Sequence, residues 1–153
     1  MADGDRQRDV TVGHVGLDGL GHRSPEAFDG DDIETGGDQH ERALAAARLA
    51  GGINQRTAGT HRALREAATA DPSAAQRLRD LEESRRTTIA QALALVAGRP
   101  VTDEERDTVW AVGSVEVHQL LTGISDWSEE HYQTWLADAV VRALAEHQEG
   151  EEA

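Results

Sequence analysis

The fold of this chain is decided by one stretch, Arg99 to Leu144, which reads RPVTDEERDTVWAVGSVEVHQLLTGISDWSEEHYQTWLADAVVRAL. It contains all three tryptophans and the only tyrosine of the chain. Thr102 followed by Glu105 is the pattern of a capping box, and Ser128 followed by two glutamates indicates a second helix start. The stretch therefore predicts two amphipathic helices at the end of the folded region.

Apolar residues recur at steps of three and four along both helices, which places them on one face of each helix. These stripes are wider than the core of a small monomer needs. We therefore expect two helices from each of two chains to form a symmetric four-helix interface. The residues predicted at this interface are Val117, Leu120, Leu121, Tyr132, Trp135, Leu136, Ala139, Val140, Ala143 and Leu144.

Charge and composition narrow the classes of function. The 153 residues suffice for one domain with one core, and their net charge of −14 disfavours direct binding of DNA by this chain alone. The best basic cluster, around Arg77 and Arg85, is interleaved with acidic residues and is typical of a salt-bridged helix face. The absence of cysteine excludes disulfides and thiolate metal sites.

Membrane and export signals are also missing from the sequence. No apolar run approaches the roughly 18 residues of a transmembrane helix, so we expect no membrane association. The N-terminal residues are acidic and lack the apolar core of a secretory signal, which predicts a cytoplasmic protein.

The chain divides into three parts by composition. Residues 1–38 are rich in glycine and aspartate and predict a disordered acidic leader. Residues 39–146 have helical periodicity, and residues 147–153 predict a disordered acidic tail. Since no convincing pair of strands appears, we predict an all-α fold, an antiparallel bundle of about five helices.

Local signals predict where these helices begin and end. Gly51 and Gly52 are expected to end or weaken the first helix, so that a second begins near Ile53. The side chains expected to face inward from this second helix are Ile53, Ala58, His61, Leu64 and Ala68. Asp71-Pro72 predicts the start of the next helix, and Gly98 predicts its end. A break is expected at Gly113-Ser114, where Ser114 recaps a short helix.

Two segments resemble the C-terminal regulatory domain of tetracycline-repressor-type (TetR) transcription regulators. They are HRALREAATADPSAAQRLRDLEESRR, from His61 to Arg86, and DTVWAVGSVEVHQLLTGISDWSEEHYQTWLADAVVRAL, from Asp107 to Leu144. The features that carry the resemblance are the Asp-Pro helix start, Trp110, and the sequence from Trp127-Ser128 to Tyr132, Trp135 and Leu136. The resemblance covers roughly Gln39 to Leu144.

The resemblance implies a homodimeric, ligand-responsive regulatory domain whose last two long helices form the dimer interface. It also implies a DNA-binding helix-turn-helix domain before it, and residues 1–38 have no such pattern. Either the chain is a truncated regulator or it begins in a different reading frame from a longer ancestor. A chain without the helix-turn-helix domain would sense a ligand, or pair with full-length relatives.

Four residues are candidates for binding a small apolar or amphipathic ligand between the helices. They are polar or amphipathic and lie near the apolar stripes: His61, Arg65, Trp110 and His118. The alternative for each is an ordinary boundary or core residue. The seven histidines have no metal-site spacing, and no nucleophile–base or acid–base pattern occurs, so we predict no metal, no cofactor and no enzymatic activity.

Two functions remain open on these grounds. The first is the ligand-responsive, dimerising regulatory domain. The second is a dimeric helical interaction protein without a ligand, which could pair with full-length relatives. An enclosed cavity lined by Trp110 would favour the first function, and a tightly packed core would favour the second.

Overall fold

The computed structural model describes residues 37–145, and these contain helices but no strands. The all-α fold class is therefore confirmed for this part of the chain. Residues 1–36 of the predicted leader, residue 146 and the predicted tail, residues 147–153, lie outside the described residues. The elements are α1 (Gln39–Ala68), α2 (Pro72–Ala97), α3 (Asp103–Val112), α4 (Val115–Gln119), a π-helical turn (Leu120–Ile124) and α5 (Glu129–Ala145). None of these helices is both long enough and apolar enough to cross a membrane.

The helix ends follow the local signals in the sequence. The Asp71 side chain accepts from the backbone N–H of Ser73 at 2.8 Å, and Gly98 ends α2 with a left-handed φ of 68°. Thr102 and Glu105 form the predicted reciprocal box, with bonds of 3.2 and 2.7 Å. The Ser114 cap, which accepts from the Val117 N–H, is also confirmed.

The prediction that α1 ends near Gly51 is wrong, because one helix runs without a break through both glycines. The buried face continues in register across them, from Ala47 through Gly51 to Asn54. Helix α5 passes close to this point: a Cβ on Gly51 would lie 3.4 Å from Cγ of Gln133. Packing thus overrides the weak helix propensity of glycine. The same register leaves Ile53, predicted to face inward, 42% exposed.

Helix α1 is central, and α2 and α5 both run antiparallel to it. Near the start of α1, the Arg42 guanidinium donates to the Val96 carbonyl at the end of α2. Further along, His61 contacts Glu82 in the first half of α2. On the other side, His40 contacts Asp138 of α5, and Asn54 contacts Tyr132 near the start of α5. The three long helices therefore share two ends of different character.

We call these the apolar end and the polar end. The apolar end joins the first half of α1 to the last halves of α2 and α5, with buried side chains that are almost all aliphatic: Ala43, Ala47, Leu93, Val96, Val140, Ala143 and Leu144. The polar end joins the second half of α1 to the first halves of α2 and α5, to the last part of α3 and to α4. Its buried side chains include Asn54, His61, His118 and Tyr132. Side chains in this second region therefore depend on hydrogen bonds as well as on packing.

The structure divides the ten predicted interface residues into two groups. Five are buried within the single chain: Tyr132, Leu136, Val140, Ala143 and Leu144. Because they pack in the chain's own core, they are not available to a partner, and the predicted interface needs correction at these positions. The remaining five are half-buried or exposed: Val117, Leu120, Leu121, Trp135 and Ala139. Dimerisation through these five stays a prediction.

Candidate functional site

Three of the four predicted ligand residues meet around two glutamates at the polar end. His61 Nε2 lies 2.7 Å from Glu82 Oε1, and the Trp110 indole N–H donates to Glu82 Oε2 at 3.1 Å. Arg65 forms an ion pair with Glu116, whose carboxylate also lies 3.6 Å from His61 Nδ1. We call these five residues the glutamate network. It brings together side chains from α1, α2, α3 and α4. Three of these side chains, His61, Arg65 and Trp110, are ones that the sequence predicts as ligand-binding residues.

The charge of Glu82 is stabilised by its neighbours. Partial burial of Glu82 acts to raise its pKa, but the hydrogen bonds from His61 and Trp110 and the nearby Arg85 guanidinium outweigh burial and hold the pKa below its ordinary value of 4.5. Arg85 lies 3.5 Å from the carboxylate. Glu82 is therefore an ionised acceptor at neutral pH, which fixes the orientation of both the imidazole and the indole.

A cleft of about 340 Å³ opens beside the glutamate network, between Trp110 of α3 and Arg65 of α1. Its walls combine an indole with two carboxylates, a combination that suits a cation. Both carboxylates are already engaged by the protein's own donors, and the Arg86 guanidinium lies 5.9 Å from the centre of the Trp110 ring. The cleft thus resembles a satisfied structural network more than an empty cation site.

The fourth predicted residue, His118, lies apart from this network. It is only 4% exposed, and its Nε2 lies 2.9 Å and 3.1 Å from the two carboxylate oxygens of Glu129. Its ring meets the Tyr132 ring edge-on, with 4.8 Å between centroids. Since a carboxylate accepts, Nε2 carries a proton toward Glu129. Within residues 37–145, Nδ1 of the same ring is a buried atom without a hydrogen-bond partner.

Asn54 is a buried residue of the polar end that the sequence reasoning missed. Its amide donates to the Gly113 carbonyl at 3.0 Å and lies 3.4 Å from the Tyr132 hydroxyl. One α1 side chain thus joins the break between α3 and α4 to α5. Burial raises the pKa of Tyr132 to about 12, so its hydroxyl stays neutral. The signal that could have found Asn54 is its seven-residue spacing from Ala47 on the same helix face.

A second, larger hollow lies on the other side of α4, between α1 and the π-helical turn. We call it the π-turn groove; its volume is about 810 Å³. Its large apolar residues are Leu120, which is 53% exposed, Ile124, which is 75% exposed, and Trp127. Arg62 and His118 also line it. Such π-helical turns occur often at functional sites, because they interrupt the regular hydrogen-bond ladder.

An aromatic cluster continues from the π-turn groove onto the outer face of α5. The Trp127 ring stacks on His131 with 4.0 Å between centroids, and it meets the Trp135 ring edge-on at 5.9 Å. Trp127 and Trp135 are both half-buried. The cluster therefore leaves aromatic surface next to Leu121 and Ala139, two of the residues still available for an interface.

Comparisons with protein-family models, with curated proteins and with solved structures find no match to this chain. Within the described range, no three histidine, aspartate or glutamate side chains are grouped so that they could hold a metal ion. The geometry of the polar end is therefore the basis for assigning a function.

Proposed function

We propose that residues 39–146 form a ligand-responsive, dimerising regulatory domain similar to the C-terminal domain of TetR-type regulators. The observation that supports this proposal is how α4 is attached. Of its five residues, only Val115 and His118 are buried, and its side chains are connected to other helices through Glu116 and His118. Segments with few buried apolar contacts open at a lower free energy than a packed core. Helix α4 is thus the element that a ligand would shift.

The dimer in this proposal uses the outer side of α5 together with Val117 and Leu121. Trp135 and Ala139 are half-buried on α5. Val117 and Leu121 are also half-buried, and they precede Trp127 of the aromatic cluster by ten residues or fewer in the sequence. A two-fold axis across this surface would pair the same patch with itself. Because α4 and the π-helical turn adjoin this surface, a shift of α4 would alter the contact between the subunits.

The second candidate is a dimeric interaction domain without a ligand, and one observation favours it. The glutamate network is satisfied internally, since Glu82 and Glu116 already have protein donors. A network of this kind can serve to fix the helix arrangement alone. In that case α4 would be held as firmly as the long helices.

Hydrogen exchange of the wild-type chain, measured by mass spectrometry, distinguishes the ligand-responsive domain from the interaction domain without a ligand. The ligand-responsive domain is expected to exchange in α4 and the π-helical turn at least about tenfold faster than in the helices of the apolar end. Equal protection throughout would contradict responsiveness and favour the second candidate.

Light scattering after size exclusion tests the dimer that both candidates share. The wild-type chain is expected at twice its 16.5 kDa mass, and Ala139→Glu is expected to be a folded monomer because it places a charge on the outer face of α5. A wild-type mass near 16.5 kDa would exclude the dimer.

A further inference from the structure

We propose that the π-turn groove is the ligand site of this domain, and that its ligand is an amphipathic carboxylate. In this arrangement the apolar body lies on Leu120, Ile124 and Trp127, and the carboxylate lies at Arg62. The inference rests on the function proposed above, because it names the class of ligand that the polar end would sense.

Exposed apolar surface favours the groove over the cleft beside the glutamate network. Its volume of about 810 Å³ lies within the roughly 300–1,000 Å³ of small-molecule sites. Leu120 and Ile124 are among the most exposed large apolar side chains of the described residues, and both lie in the groove wall. Large apolar side chains grouped at one place on a surface indicate a binding surface.

Charge complementarity selects an anion. The two carboxylates of the groove wall already accept hydrogen bonds from the chain: Glu116 from Arg65, and Glu129 from His118. Arg62 lines the same groove, is exposed, and forms no ion pair within residues 37–145. A guanidinium binds a carboxylate through parallel hydrogen bonds. The cation that remains to be neutralised in this groove therefore fits the head group of an amphipathic acid.

The unpaired Nδ1 of His118 is a second, independent observation. Buried polar atoms in folded proteins are nearly always paired, and this one belongs to a side chain that lines the groove. A water molecule held by the ligand carboxylate would complete its hydrogen bonding. Arg62 and His118 come from α1 and α4, so a ligand that engages both would connect these helices.

Position on α4 suggests how such a ligand acts. Glu116 and His118 lie two residues apart on this five-residue helix, and they contact different helices: Glu116 reaches Arg65 of α1, and His118 reaches Glu129 of α5. Glu116 also lines both the cleft and the groove. A ligand that fills the groove would therefore hold α4 against α1 and α5 together.

Isothermal titration of the full chain with dodecanoate, kept below its critical micelle concentration, tests the proposal. Dodecanoate is expected to bind with one molecule per chain, and dodecyltrimethylammonium, which has the same chain and the opposite charge, at least about tenfold more weakly. Arg62→Gln should weaken dodecanoate binding about tenfold, because it removes a charge-assisted hydrogen bond. Arg56→Gln is the matched control, since Arg56 is an exposed arginine of α1 outside the groove, and it should leave binding unchanged.

Ile124→Asp provides a second variant that is expected to fold, because Ile124 is 75% exposed. It should also weaken dodecanoate binding about tenfold or more. Absence of dodecanoate binding, equal binding of both surfactants, or equal effects of Arg62→Gln and Arg56→Gln would each overturn the proposal. If Ile124→Asp instead converts a dimer to a monomer and dodecanoate does not bind, the groove is a contact between subunits and the ligand assignment fails.

Failure of this inference differs from failure of the proposed function. Fast exchange in α4 without dodecanoate binding would leave a responsive domain and remove this ligand class. If dodecanoate binds but does not slow hydrogen exchange in α4, the ligand site is supported and the proposed regulatory role of α4 is contradicted.

Discussion

The two ends of the long helices are built on different principles, although the same three helices form both. At the apolar end, aliphatic side chains such as Leu93, Val96 and Leu144 exclude water without directional contacts. At the polar end, buried His61 and His118 each require a carboxylate partner. Packing tolerates small shifts, whereas a hydrogen bond is lost when its partner moves by about an ångström. The apolar end therefore supplies stability, and the polar end supplies a geometry that can be altered.

The largest expected effect comes from breaking the apolar end. Val140→Glu places a carboxylate where the wild-type side chain is 3% exposed, and burying an unpaired charge costs several kcal/mol. Circular dichroism should show loss of cooperative unfolding, whatever the oligomeric state. Thr134→Glu, at an exposed position of the same helix outside the predicted interface, is the control and should unfold near the wild-type temperature. A cooperatively folded Val140→Glu protein of wild-type stability would contradict the assignment of this position to the core.

A smaller loss is expected when the polar end is broken at its centre. Glu82→Ala leaves the His61 and Trp110 N–H groups without their acceptor, which costs about 1–3 kcal/mol. Glu83→Ala, at the neighbouring exposed position, should change the free energy of unfolding by less than about 0.5 kcal/mol. Urea unfolding measures both values. Equal effects of the two substitutions would show that the network does not stabilise the fold.

Acid should weaken the fold through Glu105 at the start of α3 and through Glu82 at the polar end. Hydrogen bonds from Arg99, opposed by burial, and the bond from the Thr102 N–H hold the pKa of Glu105 below its ordinary value of 4.5, and the pKa of Glu82 is also lowered. A carboxyl whose pKa is lower in the folded state stabilises the fold at pH values above its unfolded pKa. This contribution is lost as pH falls through the folded pKa.

The midpoint of urea unfolding should therefore be constant near neutral pH and fall below about pH 4.5. Glu105→Gln is expected to lower the midpoint at neutral pH and to make the acid limb shallower, since one of the titrating groups with a lowered pKa is gone. An acid limb of unchanged slope in Glu105→Gln would assign the acid sensitivity to other groups.

The smallest effect concerns the half of α1 that serves the polar end. Gly59 is exposed within the helix, and a Cβ there would meet nothing within 4 Å. Gly59→Ala should stabilise the domain by about 1 kcal/mol through helix propensity. Gly98→Ala is the matched control, because its site is equally open but its φ of 68° is unfavourable for alanine. The midpoint temperature of thermal unfolding should rise for Gly59→Ala and fall for Gly98→Ala. Changes of the same sign in both variants would contradict this prediction.

The helix ends could be predicted from the sequence, because a cap depends on a few neighbouring residues. Asp71, Thr102 and Ser114 make the contacts that their positions indicate. The continuity of α1 could not be predicted in this way. It depends on the close approach of α5 at Gly51, a contact between residues far apart in the chain.

The candidate site was predicted only in part, for a related reason. His61, Arg65 and Trp110 could be selected because each is polar or amphipathic beside an apolar stripe. Their common partners, Glu82 and Glu116, could not be predicted, because nothing local in the sequence indicates that two separate helices bring carboxylates to one place. The π-helical turn was missed because its sequence, LLTGI, has no residue that requires this geometry.

The bond from Asn54 to the Gly113 carbonyl has a consequence for how this sequence can vary. The break between α3 and α4 leaves that carbonyl facing α1, and a Cβ on Gly113 would lie 2.9 Å from the Val109 carbonyl oxygen. Neither residue can change freely while the other stays. Loss of the Asn54 amide leaves the Gly113 carbonyl without its donor, and a side chain at position 113 forces the backbone at the break to shift. In relatives of this protein, positions 54 and 113 are therefore expected to covary, so that Asn54 and Gly113 are kept together or replaced together.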